Sequence, residues 1–361
     1  MRFERGITAC AILICIAFAP ARGQGNDSYE FVRADLHLEG AAEYRGDWAT
    51  AKSYCRKIID ESVTLPLDVR EWFRGTTGYL LARCAARLKD TTTTHTSLEY
   101  AFRHHFWNSS LIQLDSSIVA ICGTVWLDSI SRFWGSICAQ ERPNWHEQPP
   151  YVFYPSGYDS TARWPLIIAM HGGNANYENF SGYWHSMASE LKAVVAVPPG
   201  VLRESEITNS WGGKMEVIEP AILDLVKRFT SQHMVDDSKI YLAGFSQGAQ
   251  ASIELSLRHP EIFQGAIAMA GFVSQSFTDS ALAVAHQQGL RIYAITGESE
   301  DPTFRAQIQQ IHDQCIRAEI PFELSIVPGM IHEVPLDFRS RFLTAWEWVR
   351  LAQEANGQGT H

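Results

Sequence analysis

The sequence predicts two folds in series: a smaller all-α domain, then a doubly wound α/β domain on a mostly parallel sheet. Three observations carry that reading. Seven short apolar runs in the second half alternate with helix-favouring segments, the order that gives parallel strands with helical crossovers. Those runs are apolar throughout rather than alternating, as in strands covered on both faces. Residues 28–140, by contrast, show apolar residues at helical intervals and no strand alternation.

Arg2 and Arg5 precede an apolar run from Ile7 to Ala19, and Ala19-Pro20-Ala21 offers small residues at a cleavage-like site. Residues 1–21 therefore read as a signal peptide, too short for a membrane span, and predict a secreted or periplasmic protein. The helical domain at 28–140 begins with Tyr29 to Arg45, broken by Gly46-Asp47, and continues with Trp48 to Ile59. Glu71 to Leu88 is a further amphipathic helix, and Ser97 to Trp107 and Leu111 to Trp134 follow. The threonine run Thr91 to Thr94 is expected to be a loop. Residues 141–150, rich in proline and polar groups, are a natural linker.

The α/β domain spans 151–355. Its expected strands are Tyr151–Tyr154, Pro165–Met170, Ala193–Val197, Ile240–Ala243, Ala266–Ala270, Arg291–Ile295 and Phe322–Val327. Helices are expected near Tyr183–Leu191, Val217–Met234, Gln247–Arg258, Thr303–Arg317 and Asp337–Gln353.

Chemistry in such a sheet sits at the carboxyl ends of the strands. The fourth run ends in Gly244-Phe245-Ser246-Gln247-Gly248 and leads into a helix. Strand, tight turn and helix is the setting in which G-x-S-x-G presents a nucleophilic serine, here Ser246. The second strand ends in His171-Gly172-Gly173-Asn174, a turn able to aim a backbone N–H into the site. The N–H of Gly173 and that of Gln247 are the candidate oxyanion donors. The sixth strand ends in Gly297-Glu298-Ser299-Glu300-Asp301-Pro302, where an acid should orient the base. Asp301 is preferred, Glu300 is the alternative and Glu298 stands third. A helix N-cap before Thr303 is the other use for an acid here. The last strand leads to Pro328-Gly329-Met330-Ile331-His332-Glu333, which places His332 as the base. The chain order serine, acid, histidine differs from the two common protease orders.

Composition narrows the partners. A formal charge of -10 argues against nucleic acid or an anionic membrane surface. Of seven cysteines, Cys10 and Cys15 lie in the leader. An odd five remain, with Cys55–Cys84 and Cys122–Cys138 as pairing options. No C-x-x-C spacing occurs and His332-Glu333 lacks the second histidine of H-E-x-x-H, so no metal is expected. No nucleotide fingerprint is present, and the expected chemistry needs no cofactor.

Residues 151–352 resemble the α/β-hydrolase superfamily. The nearest branches are the phospholipase/carboxylesterase group with the acyl-protein thioesterases, and the polyhydroxybutyrate depolymerases with the feruloyl esterases. The likeness rests on Pro165-Leu166…His171-Gly172-Gly173, on Val235 to Tyr241 leading into Gly244–Gly248, and on Gly329-Met330-Ile331-His332-Glu333. It implies an acylated Ser246, a triad completed by the matched acid and histidine, and a small ester or thioester substrate. The acid loop is one residue longer than the family's usual spacing, which leaves Glu300 against Asp301 open. Alternative readings are a serine peptidase of this fold and a non-catalytic binding or scaffold protein. The helical domain lies outside this resemblance. Its helix pairs resemble tetratricopeptide repeats, which would suit a protein partner, but no period of about 34 residues is visible, so a plain helical domain is preferred.

Overall fold

The computed structural model describes residues 26–65, 67–106, 112–113, 115–141, 148–175, 177–204, 208–231 and 235–357. The expected signal peptide and the linker residues 142–147 lie outside them. Two compact units result: residues up to Gln148 with 174–182 and 202–209, and a second unit of 149–173, 183–201 and 210 onward.

The first unit is helical. Helices Asn26–Tyr44, Trp48–Glu61, Leu67–Arg87 and Thr91–Arg103 each pack on the next in sequence. The threonine run expected as a loop is instead the first turn of the fourth helix. Asp90 makes the difference, because its Oδ1 accepts from Thr93 N at 3.0 Å and so caps the helix. Such a cap offsets the weak helix propensity of threonine by about 1 kcal/mol. The single helix expected over 111–134 is split. Gly123, at φ +75°, separates Ser116–Cys122 from Thr124–Glu141. Cys55 and Cys84 are free thiols, so the pairing that their number allowed is not formed, and Cys122 is free as well. Among the described residues no helix is long and apolar enough to cross a membrane.

The second unit holds all seven expected strands in one sheet. With β1 Tyr151–Phe153, β2 Trp164–Met170, β3 Val194–Val197, β6 Val235–Phe245, β7 Phe263–Met269, β8 Arg291–Gly297 and β9 Phe322–Val327, the order is β1-β3-β2-β6-β7-β8-β9. Only β1 runs antiparallel to its neighbour; β2, β3 and β6 to β9 pair in parallel. β4 and β5, Leu202–Arg203 and Asn209–Ser210, form a separate two-stranded ribbon.

Register explains the apolar runs. Leu166, Ile168 and Met170 point to one face of β2 and pack with Ile240 and Leu242 against Ile218, Ile222 and Leu225 of the Met215–Ser231 helix. Further along the sheet, Ala266, Ala268, Ile292 and Ala294 meet Ile253, Ile308 and Ile311. On the other face Tyr241 stacks edge-on with Trp346 of the Phe338–Gly357 helix at 4.8 Å. The inner strands β2, β3 and β7 are covered on both sides and have no solvent face, which is why alternation was absent. Each fully buried Ile or Leu here contributes about 2 kcal/mol. Two helices, Tyr177–Ser181 and Asp279–Gln287, were not expected, the second burying only Leu282 and Ala285, and the helix expected over Tyr183–Leu191 forms only as Met187–Leu191.

Candidate active site

The turn between β6 and the Gln247–Arg258 helix is as crowded as its glycines imply. A Cβ on Gly248 would lie 2.1 Å from the Met170 carbonyl oxygen, and one on Gly244 would lie 2.2 Å from the carbonyl of Gly248. Ser246, between them, sits at φ +54° and ψ -116°, a conformation that costs a non-glycine residue about 1–3 kcal/mol. Its backbone N–H is anchored on the Met269 carbonyl at 3.0 Å, and the adjoining parallel strands hold the turn in place. The strained turn lifts Oγ off the end of the sheet.

There it meets His332. Ser246 Oγ and His332 Nε2 are 2.9 Å apart, and both residues are buried. The other ring nitrogen, Nδ1, is 2.9 Å from Glu300 Oε2. Phe245 and Phe304 pack against the imidazole, with ring centroids at 5.4 and 5.5 Å. Glu300 is itself fixed, because its Oε1 accepts from the Asp301 N–H at 2.8 Å.

The preferred acid is thereby corrected. Asp301 turns away from His332 and caps the Pro302–Arg317 helix, Oδ1 accepting from Thr303 N at 2.7 Å and Phe304 N at 3.4 Å. Pro302 at the first helical position explains the choice: proline favours that position, and the residue before it is then the N-cap. Glu298 is also elsewhere, its Oε2 accepting from Gly329 N at 3.1 Å. The carboxylate at the imidazole is Glu300.

Gly173 and Gln247 come together. A Cβ on Gly173 would lie 2.7 Å from Gln247 Cδ, so a larger residue there would displace the Gln247 side chain. Gln247 Oε1 accepts from Trp211 N at 3.0 Å, and Trp211 Nε1 donates to the His171 carbonyl at 2.8 Å. Trp211 is 1% exposed and packs in the core of the sheet's helical face. As the first residue of its helix, Gln247 carries one of the backbone N–H groups that have no acceptor within the helix.

A buried acid that sequence reasoning missed lies about two turns along the same helix. Glu254 Oε1 accepts from Ser274 N at 2.7 Å and Gln250 Nε2 at 3.1 Å, and Oε2 accepts from Gln275 Nε2 at 3.0 Å. It ties the loop after β7 to the helix behind the serine. The Gln250–Glu254 spacing of one helical turn was the available signal.

His171 gives a pH-dependent expectation. Burial pushes its imidazole down to about 4, against a partly opposing bond between Nδ1 and the Gly172 carbonyl at 2.6 Å. The unfolded chain takes up this proton near pH 6.5 and the folded chain does not until about pH 4. Its contribution is therefore complete above pH 6.5 and is lost as pH falls towards 4, by about 1.4 kcal/mol per pH unit. Between pH 7 and 5, urea unfolding should show wild type losing ~2 kcal/mol more than His171→Asn. NMR should find the wild-type ring neutral at pH 5, and a protonated ring there would remove the argument.

A family model described as "Putative esterase" matches residues 143–349, more than half of the 361-residue chain. The chain belongs to the esterase family. Poly(3-hydroxybutyrate) depolymerase of Ralstonia pickettii is 26% identical to this esterase over 163 residues, 37% of this chain and 33% of that protein. Feruloyl esterase B of Neurospora crassa is 25% identical over 167 residues, 41% of this chain and 54% of that protein. The esterase thus spans between a third and about half of these relatives. Among solved structures, esterase PE8 is similar with a TM-score of 0.45 and 18% identity, covering 56% of this chain and 98% of that one.

Proposed function

We propose that the protein is a serine hydrolase that cleaves carboxylic esters through an acyl-enzyme. The observation that carries this is the continuous relay from Ser246 Oγ to His332 Nε2 and from His332 Nδ1 to Glu300 Oε2, each link 2.9 Å. Ser246 Oγ attacks the acyl carbon as His332 takes its proton, and the new C–O bond forms. The alcohol leaves with that proton as the ester bond breaks. Water then repeats the sequence and releases the acid. Glu300 holds the ring in the tautomer that accepts at Nε2 and stabilises the imidazolium. The Gln247 and Gly173 N–H groups receive the developing oxyanion. The hydrolase half has no insertion long enough for a large lid, which favours small or soluble acyl esters. The charged and apolar leader at residues 1–21 supports export.

The test is labelling with a fluorophosphonate and turnover of p-nitrophenyl acetate against p-nitrophenyl palmitate. Labelled protein that prefers the acetate is expected. Folded protein that resists the probe would move a binding role to first place, and a strong preference for palmitate would overturn the small-acyl reading.

A further inference from the structure

The helical unit contains a group of side chains that ester hydrolysis does not use. Glu39 and Glu43 stand one turn apart on the Asn26–Tyr44 helix and so share a face. Cys55 comes from the Trp48–Glu61 helix and Cys84 from the Leu67–Arg87 helix. Glu39, Cys55 and Cys84 are fully buried and Glu43 nearly so. One ligating atom from each of Glu39, Cys55 and Cys84 lies within 4.8 Å of the other two.

Three sulfur–oxygen separations are close to the edge of a zinc coordination tetrahedron. Cys55 Sγ is 3.7 Å from Glu39 Oε1, and Cys84 Sγ is 4.0 Å from Glu39 Oε1 and 3.4 Å from Glu43 Oε1. With Zn–S near 2.3 Å and Zn–O near 2.1 Å, a sulfur–oxygen edge is about 3.6 Å. Arg83 orients Glu43 from behind, its Nε 3.1 Å from Oε1 and its second guanidinium nitrogen on Oε2. That is how outer-shell donors hold ligating carboxylates. Glu39 Oε2 is buried and receives no N–H or O–H from the described residues, the Glu39 carboxyl meeting the like-charged carboxyl of Glu43. Buried carboxylate oxygens are costly to leave unmatched.

We propose that Glu39, Cys55 and Cys84, with Glu43 held beside Cys84 by Arg83, bind a thiophilic divalent cation, zinc by preference, that clips three helices of the first unit together. Thiolate donors select zinc over magnesium or calcium. Binding releases the two thiol protons, together with the proton that burial and the neighbouring Glu43 favour on Glu39, as the sulfur–metal and oxygen–metal bonds form. Because the ligands come from three helices, no C-x-x-C spacing announces them.

The experiment uses the full untagged chain, purified without chelator under reducing conditions, with metal read by mass spectrometry. About one zinc per chain is expected, with little in the Cys55→Ser/Cys84→Ser variant, and p-nitrophenyl acetate turnover should be the same in both. Since that variant could fail to fold, wild type is also loaded with cobalt. A thiolate-to-cobalt charge-transfer band is expected, weakened in Glu39→Gln. Wild type with less than about a tenth of a zinc per chain and no such band would overturn the proposal. So would intact mass and peptide mapping that show a Cys55–Cys84 disulfide.

Discussion

Ser246→Ala should remove both fluorophosphonate labelling and p-nitrophenyl acetate turnover, the latter by roughly 10⁴- to 10⁶-fold. The size follows from what the hydroxyl does. In the proposed mechanism it supplies the nucleophile, and without it the oxyanion donors and the imidazole would only assist direct attack by water. Stability should change little, because the serine side chain does not cap the helix it begins, and alanine bears the same strained φ of +54° no worse. His332→Ala should cost a similar factor, and the double variant little more than either single one, since the two groups act as a unit. Multiplying losses would mean that they act separately, and a labelled, active Ser246→Ala would place the nucleophile elsewhere.

The parts of the site that could be read from sequence are those fixed by backbone sterics and chain order. Gly244 and Gly248 announce a turn in which a Cβ would meet backbone at 2.2 and 2.1 Å, so residue type alone reports the geometry. His332 is read from its place after the last strand, which sheet topology sets. The strands are legible because burial on both faces writes itself as continuous apolar runs. What was not legible depended on side-chain direction or on contacts between distant helices. Asp90 turning a threonine run into a helix depends on one cap bond at 3.0 Å, weighed against a composition that points to a loop. The Glu39, Cys55 and Cys84 grouping needs three helices to be packed before any of its members look related.

The choice between Glu300 and Asp301 gives the second large effect. Glu300→Gln keeps the shape of the side chain but removes the charge that His332 Nδ1 faces at 2.9 Å. The amide can donate to Nδ1 and so favour the tautomer with its proton on Nε2, which cannot accept from Ser246. A loss of roughly 10³- to 10⁴-fold in kcat is expected, with KM little changed, as for a neutralised triad acid. Asp301→Ala should do something different. It removes the acceptor of Thr303 N and Phe304 N, costing about 1 kcal/mol of stability, and leaves kcat within a few-fold. The Asp301 backbone N–H that steadies Glu300 Oε1 survives that change. Asp301→Asn should recover most of the lost stability, because asparagine caps a helix nearly as well as aspartate. The reverse pattern, with kcat collapsing in Asp301→Ala and surviving in Glu300→Gln, would return the acid to Asp301. Neighbouring carboxylates in one loop are thus separated by consequence: one sets the charge of the reaction, the other the start of a helix.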